Sequence, residues 1–378
     1  MFKLKSIHKT KLNKIFLCSF LALIIIIQFS LPNGAAAHPS SPLLLYEEKF
    51  SEPVTEGVQY DRYLKFTADG WFTIHLLTVD NSKSNLLVDT LIPEKGISNP
   101  EPLSSMALKS GAVAGINGDF FSMGVNTFTI GPIIKSGEFI TNPSQSNMGV
   151  FSITKDNKPF IDKWSWRGIV NFPDGSSAAI SGVNKSSVNS GNILMYTCKW
   201  SKNSPGNEVN NYDDYIEVVV EDNQVKEIRE KLPSTPIPEN GYILTGRGAG
   251  YNTLKEKLKP GDIVKVEINS VPNWQELSTA VGGGAVLIKD GTIVPEFNHN
   301  ITGKHPRTAI GISEDQKILY LTVVEGRNPL SMGMDQKDLA NFLLSVGAHN
   351  ALNLDGGGSS VMAVRPLGNE KTITMSKL

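Results

Sequence analysis

The chain has 378 residues, of which 36 are Lys or Arg and 37 are Asp or Glu, so the formal charge is −1. Nothing in this balance supplies the basic stripe that binds nucleic acid, and no such partner is expected. Two cysteines, Cys18 and Cys198, are too few for a disulfide framework, so stability has to come from a hydrophobic core, for which the length is ample.

Lys3, Lys5, Lys9, Lys11 and Lys14 precede an apolar run from Ile15 to Phe29, and Ala35, Ala36 and Ala37 follow it. Basic, apolar and small-residue parts in that order predict a secretory signal peptide over 1–37. The alternative is an uncleaved anchor, for which an apolar run of about 15 residues is short against the roughly 20 that a spanning helix needs. Cleavage removes five lysines and no acid, taking the formal charge to −6 and leaving Cys198 as the one cysteine. The mature chain is expected to be secreted or held in the cell envelope, with no membrane span.

A lead-in segment is expected over 38–70, ahead of a domain over 71–378. Strands are predicted at Trp71–Val79 and Asn85–Ile92, then a short helix over Pro102–Lys109. Ala112–Phe121 (AVAGINGDFF) runs a small apolar strand into Asn117, Gly118, Asp119 and two aromatic rings. That group suits sugar hydroxyls, and it equally reads as a hairpin turn before core phenylalanines. From 184 to 240 the chain turns polar and is expected to form a surface excursion or insertion, with Tyr215–Val220 a strand inside it. A helix is predicted near Asn252, and strands at Ile263–Ile268 and Ala285–Ile288.

Gly282-Gly283-Gly284 stands before the Ala285 strand, and Asp290-Gly291 reads as a hairpin turn after it. His305-Pro306-Arg307 leads into another strand. Arg307 offers a planar fork for phosphate or carboxylate, with a surface ion pair as the plain alternative; His305 is a base, a phosphate donor or a solvated loop residue. After the strand Ile318–Val324, a helix over Gln336–Val346 presents Leu339, Phe342, Leu343 and Val346 on one face. Asp335 is positioned to cap it, and Gly347 to end it. Last comes Ala351–Met362 (ALNLDGGGSSVM), where Asp355 is followed by three glycines and two serines. Glycine N–H groups in such a turn can form an anion nest beside the carboxylate. Strands outnumber helices throughout, so the expected fold is α+β, a β-rich mixed domain with an extensive sheet and a few helices.

The five segments GAVAGINGDFF from Gly111, GGGAVLIKDG from Gly282, HPRTAIGI from His305, VVEGR from Val323 and ALNLDGGGSSVM from Ala351 together resemble the phosphodiester glycosidase family. The likeness runs from about Trp71 to Pro366. It implies an enzyme that hydrolyses the glycosidic C–O bond of a sugar-1-phosphodiester of the N-acetylglucosamine type, in exopolysaccharide or cell-wall polymer metabolism. By the same resemblance Asp119, Asp355, Arg307 and Glu325 are catalytic candidates; Glu325 stands where the family often has Asp. Asn117, His305, Arg327, Asn353, Gly356, Gly357, Gly358, Ser359 and Ser360 are candidates for holding a sugar phosphate or phosphorylated glycan. The leaving phosphate needs little protonation, which raises the importance of an anion cradle made by Arg307 and the N–H groups of Gly356 to Ser359. Asp355 or Asp119 then serves as nucleophile or base, and Asn117 holds a sugar hydroxyl or acetamido group. No cofactor is expected, although a divalent cation on either aspartate is an open alternative. Attack at phosphorus, or binding of a phosphorylated polysaccharide without catalysis, are the competing readings.

Overall fold

A computed structural model describes residues 43–122, 127–186 and 189–376; the predicted signal peptide lies outside them. Among the described residues, no helix is long and apolar enough to cross a membrane.

The largest sheet has eight antiparallel strands, in the spatial order Leu44–Thr55, Val58–Thr67, Gly70–Asp80, Ile318–Val324, Arg307–Ile312, Asn350–Asn353, Val286–Lys289 and Thr292–Ile293. Both faces are covered, which explains why its central strands are buried along most of their length, with the few polar side chains such as His75 and Thr322 buried too. Successive residues serve opposite cores: Ala309 and Val324 face one, Ile310 and Val323 the other. On the first face lies the predicted helix, observed as Gln336–Ser345, with Leu339 and Leu343 at 0% exposure and Phe342 at 6%. Burying three such side chains contributes about 5–9 kcal/mol before entropy is counted. Asp335 caps the helix by accepting the Asp338 N–H at 2.8 Å, and Gly347 leaves it at a φ of +105°. The second face is covered by the small sheet of Ala114–Ile116, Met362–Val364 and Ile373–Thr374.

The turn at Asp290-Gly291 is observed, with φ of +49° and +72°, in the hairpin between Val286–Lys289 and Thr292–Ile293. The other two predicted helices run over Leu103–Ser110 and Ala249–Lys257. Three expectations need correcting. The segment 38–70 is no mere lead-in, because Leu44–Thr55 and Val58–Thr67 are full members of the main sheet. Asn85–Ile92 is not a strand: it has no pairing neighbour, and Asp89 instead accepts the Ser136 N–H at 3.0 Å and the Thr279 hydroxyl at 2.5 Å.

The polar stretch 184–240 is only partly a surface excursion. It supplies Ile193–Tyr196, Tyr215–Glu221 and Gln224–Glu230 to a five-stranded sheet completed by Gly182–Val183 and Gly241–Arg247. Ile193, Ile216, Val218, Val220 and Leu244 form its core, against Leu254 of the helix Ala249–Lys257. A few alternating apolar residues suffice for a strand even where the neighbouring sequence is polar.

Candidate active site

The antiparallel register determines which chain ends meet. Arg307 pairs with Val324 and Ala309 with Asn353, so the start of one strand and the ends of its two neighbours lie at a single edge. The triglycine turn joins them there, as Gly284 N–H donates to the Asn353 carbonyl and Asn353 N–H to that of Ala285. Asn117 closes the arrangement. Its Nδ2 donates to the Asp355 carbonyl at 2.8 Å, and its Oδ1 accepts from the Thr308 hydroxyl at 2.7 Å and the Val361 N–H at 3.0 Å. The sequence suggested that this amide would hold a sugar; in the structure both its side-chain heavy atoms are engaged within the protein, one of them on Asp355.

Asp119 sits in a glycine enclosure. Its Oδ2 accepts the Gly131 N–H at 2.6 Å, whereas Oδ1 is buried with no hydrogen-bond partner among the described residues. A Cβ on Gly282 would lie 2.4 Å from Oδ1, and one on Gly131 would lie 3.0 Å away. The triglycine is therefore not a loose loop; its first member is glycine because the carboxylate occupies the space. Burial pushes the Asp119 carboxyl up to about 7, against the opposing pull of the Lys185 ammonium and the Gly131 and Phe120 N–H groups. Lys185 itself is 7% exposed, and burial lowers it to about 7 while Asp119 pulls the other way.

Asp355 is half-buried, and burial raises its carboxyl too. Hydrogen bonds from Ser359 and the Gly356 N–H, and the nearby His299, oppose that rise. His299 packs edge-on against Phe120 with ring centres 5.0 Å apart, in the space left by the missing side chain of Gly284. Its Nδ1 is buried without a hydrogen-bond partner among the described residues, and desolvation lowers its basicity. Neither Lys185 nor His299 was marked in the sequence: each is a single residue in a polar loop, with no spacing or motif around it to signal burial.

The expected anion cradle is arranged differently. Arg307 is 1% exposed; its Nε donates to the Met334 carbonyl at 2.8 Å and its Nη2 to those of Ile301 and Gly303 at 3.0 and 2.9 Å. It pins the 301–303 loop, so most of its fork is unavailable to a ligand. His305 belongs to the same loop, with Nε2 3.0 Å from the Thr302 carbonyl. Within the glycine nest, Gly356 N–H donates to Asp355 Oδ1, Gly357 N–H to the Pro306 carbonyl and Ser359 N–H to that of Gly356. Gly358, exposed, keeps its N–H without a partner among the described residues. The outward cation is Arg327, at a φ of +62°, with Nη2 3.2 Å from where a Cβ on Gly357 would stand.

Glu325 and the remaining polar candidates point inward. Glu325 Oε1 lies 2.9 Å from His75 Nε2, and His75 Nδ1 lies 2.7 Å from the Tyr60 hydroxyl, all three side chains being buried. Asn353 and Ser360 are at 0% exposure, the former donating from Nδ2 to the Leu354 carbonyl at 2.6 Å. No group of three or more His, Cys, Asp or Glu side chains fit to hold a metal ion occurs among the described residues.

Two burial-perturbed aspartates at one sheet edge, beside an open arginine, invite comparison with known proteins. Residues 214–376 match the phosphodiester glycosidase family. The matched stretch holds four of the five segments on which the resemblance was read, and the Asp119 segment precedes it. The prophage-derived protein YomE of Bacillus subtilis strain 168 is 48% identical over 61 residues, which are 16% of this chain and 9% of that protein. Two solved structures share the fold. A hypothetical protein of Synechocystis has a TM-score of 0.71 at 21% identity, over 88% of this chain and 61% of that one. A protein of Burkholderia pseudomallei K96243, named as a candidate for export, has a TM-score of 0.73 at 17% identity, over 90% and 94%. The chain thus spans about three fifths of the Synechocystis protein, and the Bacillus likeness a small part of its relative.

Proposed function

We propose that this protein is an exported hydrolase that cleaves sugar-1-phosphodiesters at the anomeric carbon. The observation that carries the reading is the convergence of Asp119 and Asp355, both held above the ordinary carboxylate range by burial, within electrostatic reach of each other. The Asp355 N–H donates to the carbonyl of Gly118, the residue before Asp119, at 2.9 Å, and carboxyls so perturbed and so close in the fold are those that take and give protons. The family match over 214–376 supports the substrate class, and the basic, apolar and small-residue order of 1–37 supports export.

Asp355 is the better placed of the two to face substrate, since Asp119 is closed in by Gly131 and Gly282. In the forward step Asp355 takes a proton from water, and the water oxygen bonds to the anomeric carbon. The bond from that carbon to the phosphate oxygen breaks, and its electron pair leaves with the phosphate monoester. The leaving group departs as an anion, so no strong general acid is required. Arg327 and the Gly358 N–H neutralise it. Asp119 stabilises positive charge growing on the sugar, and His299 receives the proton from Asp355. Arg307 and Asn117 are positioning residues, the first through the 301–303 loop and the second through the Asp355 carbonyl.

Hydrolysis in oxygen-18 water distinguishes this chemistry from attack at phosphorus. Mass spectrometry of the products of N-acetylglucosamine-1-phosphodiesters is expected to find the label on the sugar. Label on the phosphate would make the protein a phosphodiesterase and rule out attack at the anomeric carbon.

A further inference from the structure

Lys185 lies between two strands of the five-stranded sheet, Gly182–Val183 and Ile193–Tyr196, and reaches out of it toward the main site. Its ammonium donates to the Thr129 carbonyl at 2.6 Å and approaches that of Gly131 at 3.5 Å. Two neutral acceptors leave a buried cation short of counter-charge, and burial of an unpaired ion is costly. Asp119 has the converse deficit: the Gly131 N–H donates to Oδ2 and the Phe120 N–H also favours the ionised form, but the buried Oδ1 has no hydrogen-bond partner among the described residues. Gly131 links them through its two flanking peptide groups: its N–H donates to the carboxylate while its carbonyl faces the ammonium.

We propose that Lys185 is the positioning residue that sets the charge of Asp119, its buried ammonium serving, across Gly131, as counter-charge for a carboxylate with too few donors of its own. The consequence for catalysis rests on Asp119 being a working carboxylate of the proposed hydrolase. The electrostatic pairing itself does not. Among the described residues, the titratable groups acting on Asp119 are Lys185 from the second sheet and Asp355 from the main sheet, with His299 beyond Phe120. The Gly131 and Gly282 segments that enclose it bring backbone alone. Lys185 favours the ionised carboxylate, Asp355 the protonated one; removing the lysine therefore moves Asp119 upward.

Infrared spectroscopy of the whole chain, without substrate, reads this directly. The carbonyl stretch of protonated Asp119, assigned by its disappearance in Asp119→Asn, is expected to persist in Lys185→Met to a pH at least one unit higher than in the unaltered protein. Lys185→Arg is expected to bring it back. An unchanged midpoint in folded Lys185→Met overturns the proposal. Should that variant fail to fold, carbon-13 NMR of the lysine side chains in Asp119→Asn tests the converse. Lys185 is expected to titrate at least one unit lower there, and an unchanged titration overturns the proposal equally. Both readouts stand apart from turnover. A moved band without phosphodiester hydrolysis would sink the enzymatic reading and leave this one intact, and turnover with a fixed band would do the reverse.

Discussion

The two aspartates of the site are perturbed by the same cause and stabilised in opposite ways. Around Asp355 the compensating hydrogen bonds are local in sequence, a backbone N–H one residue on and a hydroxyl four residues on, with His299 the one distant group. Around Asp119 the N–H groups of Phe120 and Gly131 lie at the two ends of one hairpin, while the distant parts are Gly282, which closes the space from the triglycine turn, and Lys185, whose charge comes from another sheet. A loop that satisfies its own carboxylate can be altered piecemeal. An enclosure built from three segments has no room for adjustment, because its walls are backbone.

That contrast orders the expected effects. The largest belongs to Asp355→Asn, which keeps the shape of the loop and removes the base; turnover of a sugar-1-phosphodiester is expected to fall by about 10²–10⁴, with the folded state retained by circular dichroism. Activity within a few-fold of the unaltered protein would move the base to Asp119. Next, Gly282→Ala forces a Cβ to within 2.4 Å of Asp119 Oδ1 and 2.5 Å of the Gly131 Cα. A destabilisation of about 1–3 kcal/mol is expected in urea unfolding, and a cost near zero would mean that the enclosure is soft. The smallest effect is that of Arg327→Asn. Asparagine tolerates the left-handed backbone that Arg327 adopts, so the substitution removes charge without adding strain. KM is expected to rise roughly tenfold, in line with one charge-assisted hydrogen bond, while kcat and stability change little. An unaltered KM would take Arg327 out of the anion site.

The same local and distant division decided what could be read from the sequence. The helix Gln336–Ser345, the strand Ile318–Val324 and the Asp290-Gly291 hairpin carry their signals within a dozen residues, and all were legible. The glycine turn after Asp355 is local as well, with Gly357 at a φ of +59°. The triglycine was visible but unexplained, because the reason for Gly282 is a carboxylate some 160 positions earlier in the chain. Arg307 was rightly marked as unusual, yet its carbonyl partners at Ile301, Gly303 and Met334 depend on how two loops pack. Lys185 and His299 were invisible: a lysine among serines and asparagines looks solvated until a second sheet is folded over it. Asn85–Ile92 failed for the opposite reason, since a sequence suited to a strand forms one only where an edge is free to receive it.

The Asn117 amide has a further consequence, one of timing. Its hydrogen-bond partners Thr308, Asp355 and Val361 lie 191, 238 and 244 residues away along the chain. Contacts of such separation close late, because the loop entropy must be overcome before the bonds form. In the proposed hydrolase the two aspartates therefore come together only after the segment 353–361 has joined 117–119.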